Sequence, residues 1–229
     1  MKRIKLALIG IICLTIFGYV QSCSDSTTEI EQVPNLDIPE EFNEVGKLHN
    51  EGLEYVFNEL KVAAIEYTKN PQLKGHTFLE NHDEFVRQAT LKFCQHNKKM
   101  QSHFDLCENV LNNNNILLKS GTTNINNPII AQLLDETKVL IRENIKKKND
   151  LSLLKVQLDA INNKAANILS EQDAIVIYCA TSIGYASYQY WTENYRKWYF
   201  AIHYPEILEQ YNDDELNQLQ LKNGKIRTK

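Results

Sequence analysis

The sequence predicts an all-α domain, a bundle of five or six helices, behind an export leader and a flexible tether. Three observations lead there. From Phe42 onward, apolar residues recur at three- and four-residue steps through most of the chain. No stretch of useful length alternates with period two. Loop-forming clusters of Asn, Ser, Gly and Pro fall between the periodic segments, at residues 70–71, 112–115 and 120–127.

The first helix is marked by Val45, Leu48, Val56, Leu60, Ala63, Ala64 and Tyr67, a single apolar stripe that Asn70-Pro71 ends. A second starts near Thr77, an N-cap with Glu80 three residues on, and carries Phe78, Phe85, Ala89, Phe93, Met100, Phe104 and Leu111. Pro128 suits the first turn of a third helix. That helix buries Ile129, Leu133, Leu140, Ile141 and Ile145 and closes on Lys146, Lys147 and Lys148, where cations meet the negative end of the helix dipole. Leu151, Leu154, Leu158, Ile161, Ala165 and Ile168 mark a fourth.

Ser170 then caps a fifth helix, reaching to about residue 200. Its β-branched run at 174–178 would pass for a strand in isolation, but it continues through small and aromatic residues without Gly-Pro punctuation. Between 174 and 186 the polar residues are Thr181 and Ser182. A helix apolar on all sides is buried on all sides, and this run is too short for a membrane span. The aromatic series Tyr185, Tyr188, Tyr190, Trp191, Tyr195, Trp198, Tyr199 and Phe200 follows, expected mainly to pack against other helices.

Ahead of the domain, Lys2, Arg3 and Lys5 precede an apolar run at 6–20, a short polar stretch and Cys23. This is the order of a secretory signal peptide with a lipoprotein acceptor cysteine at its cleavage point. The run is too short and too interrupted, at Thr15 and Gly18, for an uncleaved span. The expected organisation is a signal peptide at 1–22, a lipidated Cys23 with a tether to 41, a helical domain at 42–211 and a polar tail at 212–229. Two or more acyl chains would hold such a protein stably on the membrane of the cell envelope, the outer membrane being the expected site. Ser22-Cys23-Ser24-Asp25 resembles the lipoprotein junctions of Bacteroidetes. Asp25, Glu29 and Glu31 resemble their surface-export signals, although here the acids are spread out.

Removing the leader takes away three of the 25 Lys and Arg residues and none of the 29 acids. The processed chain then has 22 basic against 29 acidic residues, a net −7. That balance excludes nucleic acid as a partner, because phosphate binding needs a basic face. It also argues against wide contact with anionic head groups.

The phrase at 42–56, which contains His49-Asn50-Glu51-Gly52-Leu53, resembles the start of a family of small, uncharacterised helical lipoproteins of Bacteroidetes. The phrase at 180–191, which contains Ser187-Tyr188-Gln189-Tyr190-Trp191, resembles its second signature. The resemblance implies an envelope protein and carries no activity, cofactor or catalytic residue.

His49-Asn50-Glu51 lacks the second histidine of a His-Glu-x-x-His zinc helix. A hydrogen-bonded core histidine is the default there, with His49, Glu51, Tyr188 and Trp191 as candidate ligand-binding residues. His103 and Cys107 are four apart, share a helical face and supply two ligands for a soft divalent metal, with a third needed from elsewhere. Cys94, Cys107 and Cys179 remain once Cys13 is cleaved away and Cys23 acylated, an odd set that suggests buried thiols. No phosphate loop or nucleophile elbow is present, no catalytic residue is assigned and no cofactor is expected. The leading expectation is a non-enzymatic binding or accessory module that reaches the membrane through its anchor and meets an envelope protein or ligand. The alternatives are an enzyme or metal protein using His49 or the His103/Cys107 pair, and, as the family resemblance alone implies, an effector or immunity lipoprotein of bacterial antagonism.

Overall fold

The structure, a computed structural model, describes residues 35–70, 82–101, 127–222 and 225–227. Among these the chain is an all-α bundle with six α-helices and one short hairpin. The helices are α1 (Glu40–Lys69), α2 (His82–His96), α3 (Pro128–Lys147), α4 (Leu151–Ile168), α5 (Glu171–His203) and α6 (Asp213–Gln218). A 3-10 turn at Pro205–Ile207 precedes α6, and strands β1 (Gln220–Lys222) and β2 (Lys225–Arg227) pair antiparallel, Leu221 opposite Ile226. No helix among the described residues is long and apolar enough to cross a membrane. Cys23 and the leader lie outside the described residues, as do Thr77, His103, Cys107 and Leu111.

The chain divides into two compact units. The first takes residues up to 51 and 94–189; the second takes 52–93 and 190–229. In the first unit, α3 and α4 form an antiparallel hairpin. Asn127 caps α3 by accepting from the Ile129 N–H, and Asp150 caps α4 by accepting from Leu153. Lys148 turns the chain in the left-handed region, at φ 52°, where its N–H meets the last carbonyls of α3. Asn144, buried, secures this corner. Its Nδ2 donates to Leu140 O and to Gln157 Oε1, at 2.9 and 2.8 Å, and its Oδ1 accepts from Asn149. The Tyr188 hydroxyl donates to Asn149 O at 2.6 Å.

The α5 segment at 174–186 has no exposed residue, as its composition predicts. Ile130, Leu133, Ile161, Ala165, Ala174 and Ile177 form one core cluster; Phe42, Val45, Cys179 and Ile183 form another. Small residues set the approach of α1 to α5 in this unit. A Cβ on Gly46 would stand 2.6 Å from Ser182 O and 2.9 Å from the Ala186 Cβ. The Gly46 N–H instead donates to Ser182 Oγ at 3.1 Å, and Asn50 Nδ2 donates to Ala186 O at 2.9 Å.

Three boundaries differ from the sequence reading. α2 ends at His96, so Met100, expected on its stripe, lies in the turn that follows. The tether ends earlier than residue 41: Leu36 is buried with Ile141, Leu154, Leu158 and Tyr185, the Asp37 N–H donates to Asp159 Oδ1, and α1 begins at Glu40. An isolated leucine between prolines has no periodicity to announce it. The residues after 211 are not merely a polar tail. Asn212 and Glu215 form a capping box that starts α6, and Leu216 and Leu219 are buried.

In the second unit, α1 contributes Leu53, Val56, Phe57, Leu60 and Ala64, all buried, and α5 contributes Trp198, Phe200 and Ala201. The Phe57 and Trp198 rings lie 5.3 Å apart, and Tyr55 lies 5.7 Å from Phe93 of α2. Lys61 pairs with Asp213 at 2.6 Å, Arg196 Nη1 donates to Asn217 O, and the Lys197 N–H donates to Asn217 Oδ1. These contacts dock α6 on α1 and α5.

Candidate functional site

The most concentrated polar chemistry in the second unit is a closed network around one buried lysine. Tyr190, Asn194, Lys197, Trp198 and Ala201 follow at the three- and four-residue steps of one helical face of α5, which places a cation among core positions. The Lys197 side chain is only 5 % exposed. Its Nζ lies 2.9 and 2.7 Å from the two carboxylate oxygens of Glu54 on α1. The Tyr190 hydroxyl donates to Glu54 Oε2 at 2.9 Å, and Trp198 Nε1 donates to the Tyr190 oxygen at 3.0 Å. Phe57 closes the other side, its ring centroid 4.5 Å from Nζ.

The chain Trp198 to Tyr190 to Glu54 leaves every polar atom in it engaged. Burial, reinforced by the Glu54 charge and opposed by the bond from Trp198, holds the Tyr190 hydroxyl far above the ordinary tyrosine range. Tyr190 is therefore a fixed donor and no base. Glu54 accepts three hydrogen bonds, two from Lys197 Nζ and one from the Tyr190 hydroxyl, and its side chain is 37 % exposed. The arrangement can hold helices in register; it offers no open nucleophile.

His49, in the first unit, behaves differently. Because Asn50 Nδ2 is used by Ala186 O, its Oδ1 faces His49 Nδ1 at 3.2 Å, and that ring nitrogen carries the proton. The bare Nε2 is sealed from solvent and meets no hydrogen-bond partner. Burial lowers the imidazole from 6.5 to about 4, the bond to Asn50 opposing. The neutral form is thus the folded form. The stability this confers is complete above about pH 6.5 and is lost as pH falls towards 4, by up to about 3 kcal/mol. We expect the urea midpoint of the native chain to drop between pH 7 and 4.5, and the drop to shrink in His49→Leu; equal drops in both proteins would assign the effect to carboxylates instead.

The other candidates are dispersed. Glu51 is exposed, accepting from Asn97 Nδ2 at 3.3 Å with Lys99 Nζ at 4.0 Å. Tyr188 is half-buried and spent on the α3–α4 corner; Trp191, in the second unit, stacks against Trp198 at 5.3 Å. Cys94 and Cys179 are buried thiols, and burial pushes Cys179 up to about 12, well away from reactivity. Among the described residues no three His, Cys, Asp or Glu side chains are grouped to hold a metal ion. Sequence reasoning missed Glu54 and Lys197. The signal was present: each is a charge set on the apolar face of its own helix.

Comparison with protein-family models, with curated proteins and with solved structures finds no match for this chain.

Proposed function

We propose that this chain is a lipid-anchored protein of the cell envelope whose helical domain serves as a binding or accessory module and not as a catalyst. The observation that carries the non-catalytic part is the closure of the Glu54–Lys197–Tyr190–Trp198 network, whose acids and donors are spent on one another. The anchor rests on the order of basic start, apolar run and Cys23, together with the likeness of the 42–56 and 180–191 phrases to envelope lipoproteins of Bacteroidetes. Metabolic labelling with an alkyne fatty acid tests it. The full chain should take up label and enter the detergent phase of a Triton X-114 partition, and Cys23→Ala should lose both. Unchanged labelling of Cys23→Ala would overturn the anchor. Crosslinking in membranes that recovers nothing specific to the native chain would overturn the binding role.

A further inference from the structure

We infer that residues 35–39 are a displaceable strap over a groove of the first unit and, resting on the binding-module reading, that this groove receives an extended segment of a protein partner. Burial alternates along the strap. Asn35, Asp37 and Pro39 are exposed, Leu36 is buried, and Ile38 is half-buried against two core clusters. Leu36 enters a groove floored by Ile141 of α3, Leu154 and Leu158 of α4 and Tyr185 of α5. Asp159 stands at the rim, on α4. Its Oδ2 pairs with Lys155 at 2.5 Å, and its Oδ1 accepts from the Asp37 N–H at 2.8 Å. Burial pushes the Tyr185 hydroxyl on the floor up to about 12, and the Asp159 charge acts in the same sense.

The hold on the strap is thin. Leu36 O accepts from the Ile38 N–H at 3.0 Å and from Asn43 Nδ2 at 3.2 Å, both close in sequence. Of the strap's hydrogen bonds among the described residues, the one from Asp37 alone reaches a distant helix. Ordering the backbone of residues 35–39 costs about as much as one buried leucine and two or three hydrogen bonds return. Docked and released forms therefore lie close in free energy, as in segments that open locally while the core stays folded. The released strap stays extended, because Pro39 disfavours helical backbone at Ile38 and so keeps α1 from growing back over it.

Release uncovers apolar side chains of three helices beside a carboxylate oxygen that has lost its N–H. The Asp159 side chain is only 16 % exposed, so water replaces that donor poorly. The strap itself displays what fills such a groove. A branched aliphatic side chain enters the floor, the next backbone N–H meets the carboxylate, and a second aliphatic side chain follows. A protein segment carrying Leu-x-Ile supplies all three, whereas a hydrocarbon chain brings no N–H to Asp159. The strap is then an internal competitor, and a partner gains entry by shifting the balance between the docked and released forms.

The test uses residues 24–229, which keep every described residue, with Leu36→Ser and Ile38→Ser to empty the groove. The probe is a fluorescein-labelled peptide of residues 33–39, followed by fluorescence anisotropy. It should bind the emptied variant with a Kd of about 0.1–1 mM, since a strap on its own chain acts at an effective concentration in the mM range. Binding to the unsubstituted chain, where the strap competes, should be at least about tenfold weaker. The same peptide with Leu36→Ser should not bind, and Asp159→Ala in the emptied variant should weaken binding about tenfold. Hydrogen exchange of the unsubstituted chain should find the Asp37 N–H at least about a hundredfold less protected than the Ile183 N–H of α5. Equal protection of the two, or an emptied variant that does not fold, would make the strap part of the core and overturn its displacement. No binding to the emptied variant, or equal binding of both peptides, would overturn the groove. A native dimer that is lost in the emptied variant would give the groove to a second copy and overturn the partner. None of these results touches the crosslinking of the native chain in membranes, which decides the binding role separately.

Discussion

Ending the chain at Tyr211 should remove about 4 kcal/mol from the stability of the unit formed by residues 52–93 and 190–229. Leu216 and Leu219 are 0 and 1 % exposed, and fully burying a leucine contributes roughly 1.5–3 kcal/mol. The polar contacts add less. The Lys61–Asp213 pair is about a third exposed on both sides, which puts it in the range of 1 kcal/mol or below. Truncation would also strip acceptors from the Arg196 guanidinium and the Lys197 N–H, which now meet Asn217. The readout is favourable: the chain has two tryptophans, Trp191 and Trp198, and both belong to this unit. Urea unfolding followed by tryptophan fluorescence should shift to much lower denaturant. Asn212→Ala, which removes the cap but keeps the leucines, should cost only about 1 kcal/mol. A truncated chain with an unchanged fluorescence midpoint would show that α6 is not part of the unit's core.

The helices were legible because long amphipathic segments announce themselves by period. The stripe of α1 and the cap at Ser170 lie where the spacing puts them, while Ile129, expected on the buried side of α3, and Ile168, on the stripe of α4, are 40 and 48 % exposed. What was not legible depends on contacts distant in sequence. Leu36 enters the core because Tyr185, Leu154 and Leu158 are there to receive it, and nothing in its neighbours says so. Leu216 and Leu219 sit among Asn, Gln and Asp in a helix of one and a half turns, too short for a moment to show. The candidate site was hidden in a further way. Glu54 and Lys197 are 143 residues apart; each stands on the apolar face of its own helix, but nothing in either segment names the other as its partner. His49 was legible as buried. That its Nε2 has no partner followed only from the orientation of Asn50, which Ala186 O determines.

The Glu54–Lys197 pair should respond asymmetrically to removal of its two halves. Glu54→Ala strands a cation that is 5 % exposed and takes away the acceptor of the Tyr190 hydroxyl. Breaking a buried pair from one side typically costs 3–5 kcal/mol. Because the Glu54 side chain is 37 % exposed, water can enter the space it leaves, and we expect about 2–3 kcal/mol. Lys197→Met keeps the length and the contact with Phe57, and leaves Glu54 a donor in Tyr190 as well as solvent, so about 1 kcal/mol is expected. The double variant Glu54→Leu, Lys197→Met should lie within about 1 kcal/mol of the native chain, since well-packed apolar groups often replace a buried pair at no loss. A double-mutant cycle by urea unfolding, closed with Glu54→Leu as the acid-side single variant, would then show coupling close to the whole effect of that variant. The order of the two single variants carries the argument. If Lys197→Met were the more damaging, the ammonium would be contributing through Phe57 and Tyr190 more than through the carboxylate. If Glu54→Ala were neutral, the pair would contribute no net stability and would not be the internal support on which the non-catalytic reading rests.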